Sequence, residues 1–348
     1  MPRSPEDHRL LYRIAQAYYL EGQTQQQIGQ RFGLSRPKVS RLLQRARDVR
    51  VVSITLVPPP GGTAELEREL ERRYGLEEVV LVSVSDVDDP NRVALELGPA
   101  AAECLLRCVE PNSILGLAWG RTILAMVEAL SGQFVPGLTV AQLSGGLGPV
   151  GALEHSTELA RLAAQRLGAE LRLLPAPGIV SSPEAARALR ADTQISEALR
   201  VAALADVAVV GLGVLTPESV LLRSGTILTG EDLAALEEAG AVGDIILRYL
   251  DARGEPLALA LNDRIVGVTL DQLARVPRVI GVAGGTNKRR IVHAALEAGL
   301  LHVLVTDQAT AEFLLAENNG FSGSRSALRG MSARDELSRD QSGESVDE

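Results

Sequence analysis

The stretch QTQQQIGQRFGLSRPKVSRLLQRAR, residues 23–47, decides the reading of this chain. Ile28 and Phe32 stand four residues apart on one helical face. Gly33 then ends that helix, as a glycine that accepts positive φ does. Ser35 is placed to cap a second helix, and Pro37 fits its first turn, where a missing N–H costs little. Val39, Leu42 and Leu43 form the apolar stripe of the second helix. Arg36, Lys38, Ser40 and Arg41 lie off that stripe, near its N-terminus. That is the end which a recognition helix turns toward base edges in the major groove of DNA. With Gln25 and Arg45, and with Ser35 at the helix start, they are the candidate DNA contacts. A plain helical hairpin with a solvated charged face is the competing reading. Agreement of turn, cap, stripe and basic face in one register favours DNA.

The flanks fit. Leu10, Leu11, Ile14, Ala15, Ala17, Tyr18 and Leu20 pattern a preceding helix that would complete a three-helix core. VRVVSITLV (49–57) is β-branched and partly alternating, as a wing or bridging strand would be. Pro58 to Gly62 read as a linker. The expected organisation is a winged helix-turn-helix over 1–57, a linker over 58–62, a large domain over 63–319 and a disordered polar tail over 320–348.

Charge divides at the same place. Residues 1–60 hold ten Lys and Arg against four Asp and Glu, net +6, while the whole chain is −9, leaving −15 for residues 61–348. Polyanion binding needs positive charge, and here it sits in the N-terminal sixth. The acidic remainder suits folding, assembly and small-molecule binding. A hydrophobic fraction of 46% with only 3% aromatic residues means an aliphatic core. No run reaches the roughly 18 apolar residues of a membrane span, and MPRSPEDHRL lacks a leader-like apolar segment, so a cytoplasmic protein is expected. Cys104 and Cys108 are four apart on a predicted helix among Ala and Leu. A metal pair is conceivable, but small buried hydrophobes are the commoner outcome, and no metal or cofactor is expected.

From residue 63 helix and strand patterns alternate. Helices are expected over 63–74, 91–109, 121–130, 154–167, 231–240, 288–299 and 307–317. Strands are expected over 79–84, 113–117, 138–143, 170–174, 205–213, 276–284 and 301–306. Such alternation predicts an α/β fold with a mostly parallel, doubly wound sheet. Ligands of such sheets bind beyond the carboxyl ends of the strands, and the turns there are rich in glycine. GLAWGRT (116–122) follows a strand and opens a helix, so its amides, its dipole and the Thr122 hydroxyl are arranged for a phosphate. QLSGGLG (142–148), GLG (211–213), GAVGD (240–244) and AGGTNK (283–288) are loops of the same kind. Only two of the 35 basic residues are lysines, Lys38 and Lys288. One lies in the basic helix and one at a glycine-rich helix start, and a compact ammonium is not interchangeable with a guanidinium in a tight site.

Taken in order, GLSRPKVSRLL, GLAWGRTI, QLSGG, GAVGDI and GVAGGTNK resemble the SorC family of bacterial sugar-responsive transcriptional regulators, over about residues 8–317. The resemblance implies a winged helix-turn-helix joined to an effector domain similar to the ribose-phosphate isomerase and glucosamine-phosphate deaminase fold. It also implies double-stranded operator DNA and a phosphorylated sugar as partners, and a homo-oligomer, often a tetramer. By motif, Gly120, Arg121 and Thr122 would hold the phosphate. Gln142, Ser144, Gly145 and Gly146 would line the pocket. Asp244 would accept from sugar hydroxyls, and Lys288 would add a cation near the phosphate. Some relatives carry lysine in the QxxGG turn, where a Schiff base with an open-chain sugar becomes possible. Ser144 stands there in this chain, so reversible, noncovalent binding is expected.

The main rival is a sugar-phosphate isomerase or deaminase carrying an extra domain. Such chemistry needs a positioned base and acid. Asp244 is the one carboxylate in the pocket motifs, and His8, His155, His293 and His302 form no catalytic spacing, although His155 is placed to reach the pocket. A regulator rather than an enzyme is therefore expected. A third reading is a constitutive DNA-binding protein whose large domain only oligomerises.

Overall fold

A computed structural model of the chain describes residues 5–54, 62–146, 156–215 and 228–317. The polypeptide divides into two compact units, 1–60 and 61–348. Residues 58–61 of the expected linker, the tail over 320–348, and His155 lie outside the described residues.

The first unit has three helices, α1 (Pro5–Tyr19), α2 (Gln25–Phe32) and α3 (Arg36–Asp48). Its core is Leu11, Ile14, Ala15, Ala17, Ile28, Val39, Leu43 and Ala46, all buried. Thr24 starts α2 with a capping box: its amide donates to Gln27 Oε1 at 2.9 Å, and its hydroxyl accepts from the Gln27 amide at 3.3 Å. These bonds satisfy helix donors that would otherwise lack partners. Gly33 ends α2 at φ +66°, in the left-handed region that only glycine enters freely. Gly29 lets the turn close, since a Cβ there would lie 2.5 Å from the Leu34 carbonyl oxygen. Ser35 holds the N-cap position of α3, but its hydroxyl makes no cap hydrogen bond; its carbonyl instead accepts from Lys38 and Val39. No wing strand forms over residues 51–54. Arg50 takes φ +58° and Val52 donates to the Ala46 carbonyl at 3.1 Å, so the chain folds back on α3. Val51 and Val52 cover the helical core. The β-branched pattern is met by apolar packing, with no strand partner among the described residues.

The second unit opens with α4 (Thr63–Tyr74), β1 (Glu78–Val82), α5 (Pro90–Cys108), β2 (Ile114–Leu117), α6 (Arg121–Ala129) and β3 (Thr139–Gln142). It continues through α7 (Ser156–Leu167), β4 (Glu170–Arg172), α8 (Pro183–Ala191), α9 (Thr193–Ala203) and β5 (Val207–Gly213). Then come α10 (Gly230–Glu238), β6 (Gly243–Ile245), β7 (Arg248–Leu250), a 3₁₀ turn over Ala260–Arg264 and α11 (Leu270–Leu273). The unit closes with β8 (Arg278–Val282), α12 (Arg289–Glu297), β9 (Val303–Asp307) and α13 (Gln308–Glu317). Sheet order is β1-β9-β8-β5-β2-β3-β4, all parallel. The β6–β7 hairpin adds an antiparallel extension to the end of β5.

Both faces of the sheet are covered. Along β5, Val207 and Val209 pack into one core with residues of α5, α6 and α7. Ala208, Val210 and Leu212 pack into the other, with residues of α4, α9, α12 and α13. This is the period of two expected of a strand buried on both sides. The chain steps outward from β2 to β3 and β4, then returns to lay β5 on the other side of β2. That reversal opens a crevice at the carboxyl ends of β2 and β5, where doubly wound folds bind ligands. Helices α8 and α9 and the β6–β7 hairpin add to the elements read from the sequence. Among the described residues no helix is long and apolar enough to cross a membrane.

Helix α6 carries Arg121 and Thr122 at its start, and its position rests on contact with α5. A Cβ on Gly98 would lie 2.7 Å from the Ala125 carbonyl atoms. Gly98→Ala should therefore destabilise the protein by about 1–3 kcal/mol, the usual cost of overpacking. Gly230→Ala, where the added carbon meets nothing within 4 Å, should be neutral or mildly stabilising. Thermal unfolding of the two variants side by side measures the difference.

Candidate functional site

In the first unit, Arg36, Lys38, Ser40, Arg41 and Arg45 are all exposed on α3, and Gln25 is half-buried at the start of α2. Among the described residues none of these cations enters an ion pair. Three other arginines of the unit are engaged. Arg31 pairs with Glu21 at 2.6 Å, Arg47 donates to the Tyr19 hydroxyl at 2.8 Å, and Arg13 and Arg31 both stack over Phe32. The packing thus separates structural arginines from a free basic face beginning at a helix N-terminus.

In the second unit the candidate residues gather at the carboxyl edge of the sheet. Gly120 ends the turn after β2 at φ +126°, and α6 begins there without a side-chain cap. The space around an added Cβ is open, so glycine is needed at 120 for its backbone angle. The first amides of α6 have no partner within the helix, which suits them to an anion. Thr122 is buried in the first turn.

Asp244 reaches the crevice from the hairpin. Gly213, the last residue of β5, lies under it; a Cβ there would sit 2.0 Å from Asp244 Oδ1. Oδ2 accepts from the Leu247 amide at 2.9 Å. That amide is presented by a tight turn in which Ile246 and Leu247 take φ of +46° and +70°. Both are buried, and such angles on large side chains cost about 1–3 kcal/mol each. Tyr249 stands opposite Asp244 in the hairpin register. Its hydroxyl is buried without a hydrogen-bond partner.

Lys288 follows β8 on the loop Gly284-Gly285-Thr286-Asn287. Asp307, buried at the end of β9, holds this loop: Oδ2 accepts from the Gly285 amide at 2.7 Å and from the Thr310 hydroxyl at 2.7 Å, while Oδ1 accepts from the Thr310 amide at 2.8 Å. A side chain on Gly284 would collide with the same carboxylate. Asp307 is a positioning residue that the sequence reading missed. The signal was an aspartate at a strand-to-helix junction, where a cap is expected.

Electrostatics tie the groups together. Burial pushes the Asp244 carboxyl up to about 6, against the Leu247 hydrogen bond and the Lys288 charge, which favour the carboxylate. Burial likewise draws the Lys288 ammonium down to about 8; Arg121 repels it further and Asp244 opposes the change. The charges of Arg121 and Asp244 both act on Lys288, so the three groups lie near one another at the carboxyl edge of the sheet, with two cations against one carboxylate among the described residues.

Other expected pocket residues are engaged elsewhere. Gln142 is fully buried: Oε1 accepts from the Leu174 amide at 2.8 Å, and Nε2 donates to Ser156 Oγ at 3.2 Å. Gly145 donates to the Val266 carbonyl, and Gly146 to the Ala176 carbonyl. A Cβ at Gly145 would lie 2.5 Å from that Ala176 oxygen. The geometry makes Gln142, Gly145 and Gly146 braces for the turn after β3, where close backbone approach demands glycine. The Gln142 amide and the Gly145 and Gly146 N–H groups are thus engaged within the fold. Ser144 differs, since its hydroxyl is buried with no partner. Of the histidines, His302 accepts from the Val279 amide through Nδ1 at 3.1 Å, and His293 lies 3.7 Å from Glu297 on α12. Among the described residues no cluster of three or more His, Cys, Asp or Glu is arranged for a metal.

Comparison with known proteins agrees with this layout. Residues 59–316 match the family described as "Putative sugar-binding domain", and residues 13–49 match "Sigma-70, region 4". The transcriptional regulator LsrR of Enterobacter sp. (strain 638) is 38% identical over 316 residues, covering 89% of this chain and 94% of the relative. The deoxyribonucleoside regulator of Bacillus subtilis (strain 168) is 33% identical over 310 residues, covering 89% and 98%. The crystal structure of the full-length sorbitol operon regulator SorC from Klebsiella pneumoniae superposes with a TM-score of 0.67 at 28% identity, over 89% of this chain and 99% of that one. A basic helix-turn-helix and an α/β unit with a charged carboxyl-edge crevice occur in one chain, and the chain belongs to the SorC family of sugar-binding, DNA-binding transcriptional regulators.

Proposed function

We propose that the chain controls a carbohydrate-metabolism operon by binding double-stranded operator DNA through α3, with an affinity set by a phosphorylated sugar in the crevice. The observation that carries this reading is the excess of positive charge there: among the described residues, Lys288 feels both the Arg121 charge and the one carboxylate, Asp244. A phosphate at the uncapped start of α6, beside Arg121, Thr122 and Lys288, neutralises that excess and accepts the free helix amides. Asp244, pinned by Leu247, then accepts from sugar hydroxyls. The partnerless hydroxyls of Ser144 and Tyr249 are buried donors still to be satisfied, and leaving such groups unmade costs about 1–3 kcal/mol each. The relatives support the ligand class by name only: one is a deoxyribonucleoside regulator, another a sorbitol operon regulator. With serine at 144 there is no amine for a Schiff base in that turn, and binding is reversible and noncovalent.

One headpiece of three helices offers few base contacts, and nanomolar operator affinity calls for two heads acting together. A homo-oligomer, in the tetrameric form its family resemblance implies, fits a two-fold related operator. The α/β unit supplies the interfaces, and the protein works in the cytoplasm.

A second reading has a specific observation in its favour. Asp244 raised to about 6 and Lys288 lowered to about 8 form a pair whose proton affinities lie near neutrality, as acid–base catalysts have. A sugar-phosphate isomerase would show the same pair. The regulator reading expects no turnover of ribose 5-phosphate or glucosamine 6-phosphate followed by NMR at micromolar protein.

Two experiments test the proposal. Replacing Arg36, Lys38 and Arg41 together by Ala should abolish operator binding in fluorescence anisotropy. Loss of a single base-reading arginine should cost about 1–3 kcal/mol and relax sequence preference. Unchanged affinity in the triple variant contradicts the assignment to α3. Separately, Thr122→Ala combined with Lys288→Ala should leave ligand-free operator binding intact and remove the response to sugar phosphates. At about a hundred times its dissociation constant, the effector should add about 2.7 kcal/mol of stability to the wild type and none to the variant.

A further inference from the structure

The opposite edge of the sheet holds a second chemical feature. At the amino ends of β2, β5 and β8 lies a cavity of 390 Å³, lined by Cys108, Glu110, Asn112, Ser113, Asp206 and Arg278 among others. Cys108 is the last residue of α5 and is half-exposed, while Cys104, one turn earlier, is completely buried. The Cys108 sulfur accepts from Arg278 Nη1 at 3.8 Å. Arg278 is anchored in turn by Glu77, at 2.9 Å.

The two thiols therefore have different surroundings. Cys104 fits the reading of a small buried hydrophobe, and its hydrogen bond to the Cys108 sulfur, with burial, keeps its proton in place. Cys108 does not fit it, because it faces a cavity and a guanidinium. We propose that Cys108 is a thiolate modification site whose reactant is a small hydroperoxide entering this cavity. The Cys108 sulfur attacks the terminal peroxide oxygen. An S–O bond forms as the O–O bond breaks, and the departing hydroxide or alkoxide takes a proton from water. The sulfur loses two electrons to the peroxide and Cys108 becomes a sulfenic acid, the reversible first rung of thiol oxidation. Arg278 donates to the oxygen that gains charge, and Asn112 and Ser113 give the cavity polar walls suited to a hydroxylic reactant.

The charges around the sulfur determine the pH range. The Cys104 thiol, donating its S–H, has the largest effect on Cys108, followed by hydrogen bonding and attraction from Arg278; together they draw it down to about 6 against burial and the Glu78 charge. Glu78 is itself paired with Arg107. Asp206 accepts from the Ile114 amide at 2.8 Å, which occupies one of its oxygens. Glu110 lines the cavity as the remaining acid.

The test uses the full-length protein. Hydrogen peroxide with dimedone, read by peptide mass spectrometry, should place the adduct on Cys108 and none on Cys104. Iodoacetamide alkylation of Cys108 should reach half its maximal rate at or below about pH 7, against about 8.5 for an ordinary thiol. Arg278→Ala should raise that midpoint by about one unit or more and cut the dimedone adduct several-fold, while Arg278→Lys should recover part of both; circular dichroism checks that each variant is folded. An unlabelled Cys108 in the folded protein, equal labelling of the two cysteines, a midpoint above about 7, or a midpoint indifferent to Arg278 in a folded variant overturns the assignment.

Discussion

Among the described residues, two cations and one carboxylate, Arg121, Lys288 and Asp244, brought together at the carboxyl edge of the sheet, are the constraint on which the rest of the α/β unit depends. Arg121 comes from the start of α6 after β2, Asp244 from the hairpin on β5, and Lys288 from the turn after β8. Parallel strands place all three at one edge of the sheet, and the reversal of strand order between β2 and β5 leaves room between them. Lys288 pushed down to about 8 records first the cost of burying its charge and then the repulsion of Arg121. A dianion bound there would relieve both.

Much of the local structure serves to hold these groups in place. Gly213 makes room for the Asp244 carboxylate, and Gly284 makes room for Asp307, which fixes the loop before Lys288. The left-handed pair Ile246 and Leu247 is strained so that the Leu247 amide meets Asp244. Gln142, Gly145 and Gly146 brace the neighbouring turn from behind. Close backbone approach and a few buried hydrogen bonds thus fix the site geometry, while the aliphatic cores on either face fix the sheet.

The sequence made some of this legible and hid the rest for physical reasons. Strands such as VVLVSV and LHVLVT are short apolar runs between helices, and they emerged within a residue or two of their expected limits because both faces of the sheet are buried. Helix α4 spans 63–74 as expected, with Gly62 at its N-cap and Gly75 at its C-cap. Helices α8 and α9 were missed: PEAARALRADTQISEALR alternates charge with alanine, so its apolar stripe is faint. The β6–β7 hairpin was missed because its turn uses Ile-Leu where Asn-Gly is the usual signal. Over residues 49–54 the expected wing strand is absent, because β-branched residues mark apolar packing as readily as strands; residues 55–57 lie outside the described ones. In the candidate site, glycine-rich motifs marked the turns at the carboxyl edge, yet they did not distinguish a glycine needed for its backbone angle, such as Gly120, from one crowded by backbone, such as Gly145. That distinction lives in contacts across the fold.

The central claim is that a phosphate settles on the Arg121–Lys288 pair, and proton linkage tests it most directly. At about pH 8.5 a Lys288 whose proton affinity lies near 8 is largely neutral in the free protein. A phosphate monoester is already a dianion there, and Asp244, at about 6, is already ionised. Binding should raise the proton affinity of Lys288 and draw in a proton, giving a net uptake between zero and one per site. Isothermal titration of a binding sugar phosphate in two buffers of different ionisation enthalpy measures it. Uptake in the wild type that vanishes in Lys288→Ala is the predicted result. Binding with no proton uptake, or with proton release, would contradict the account.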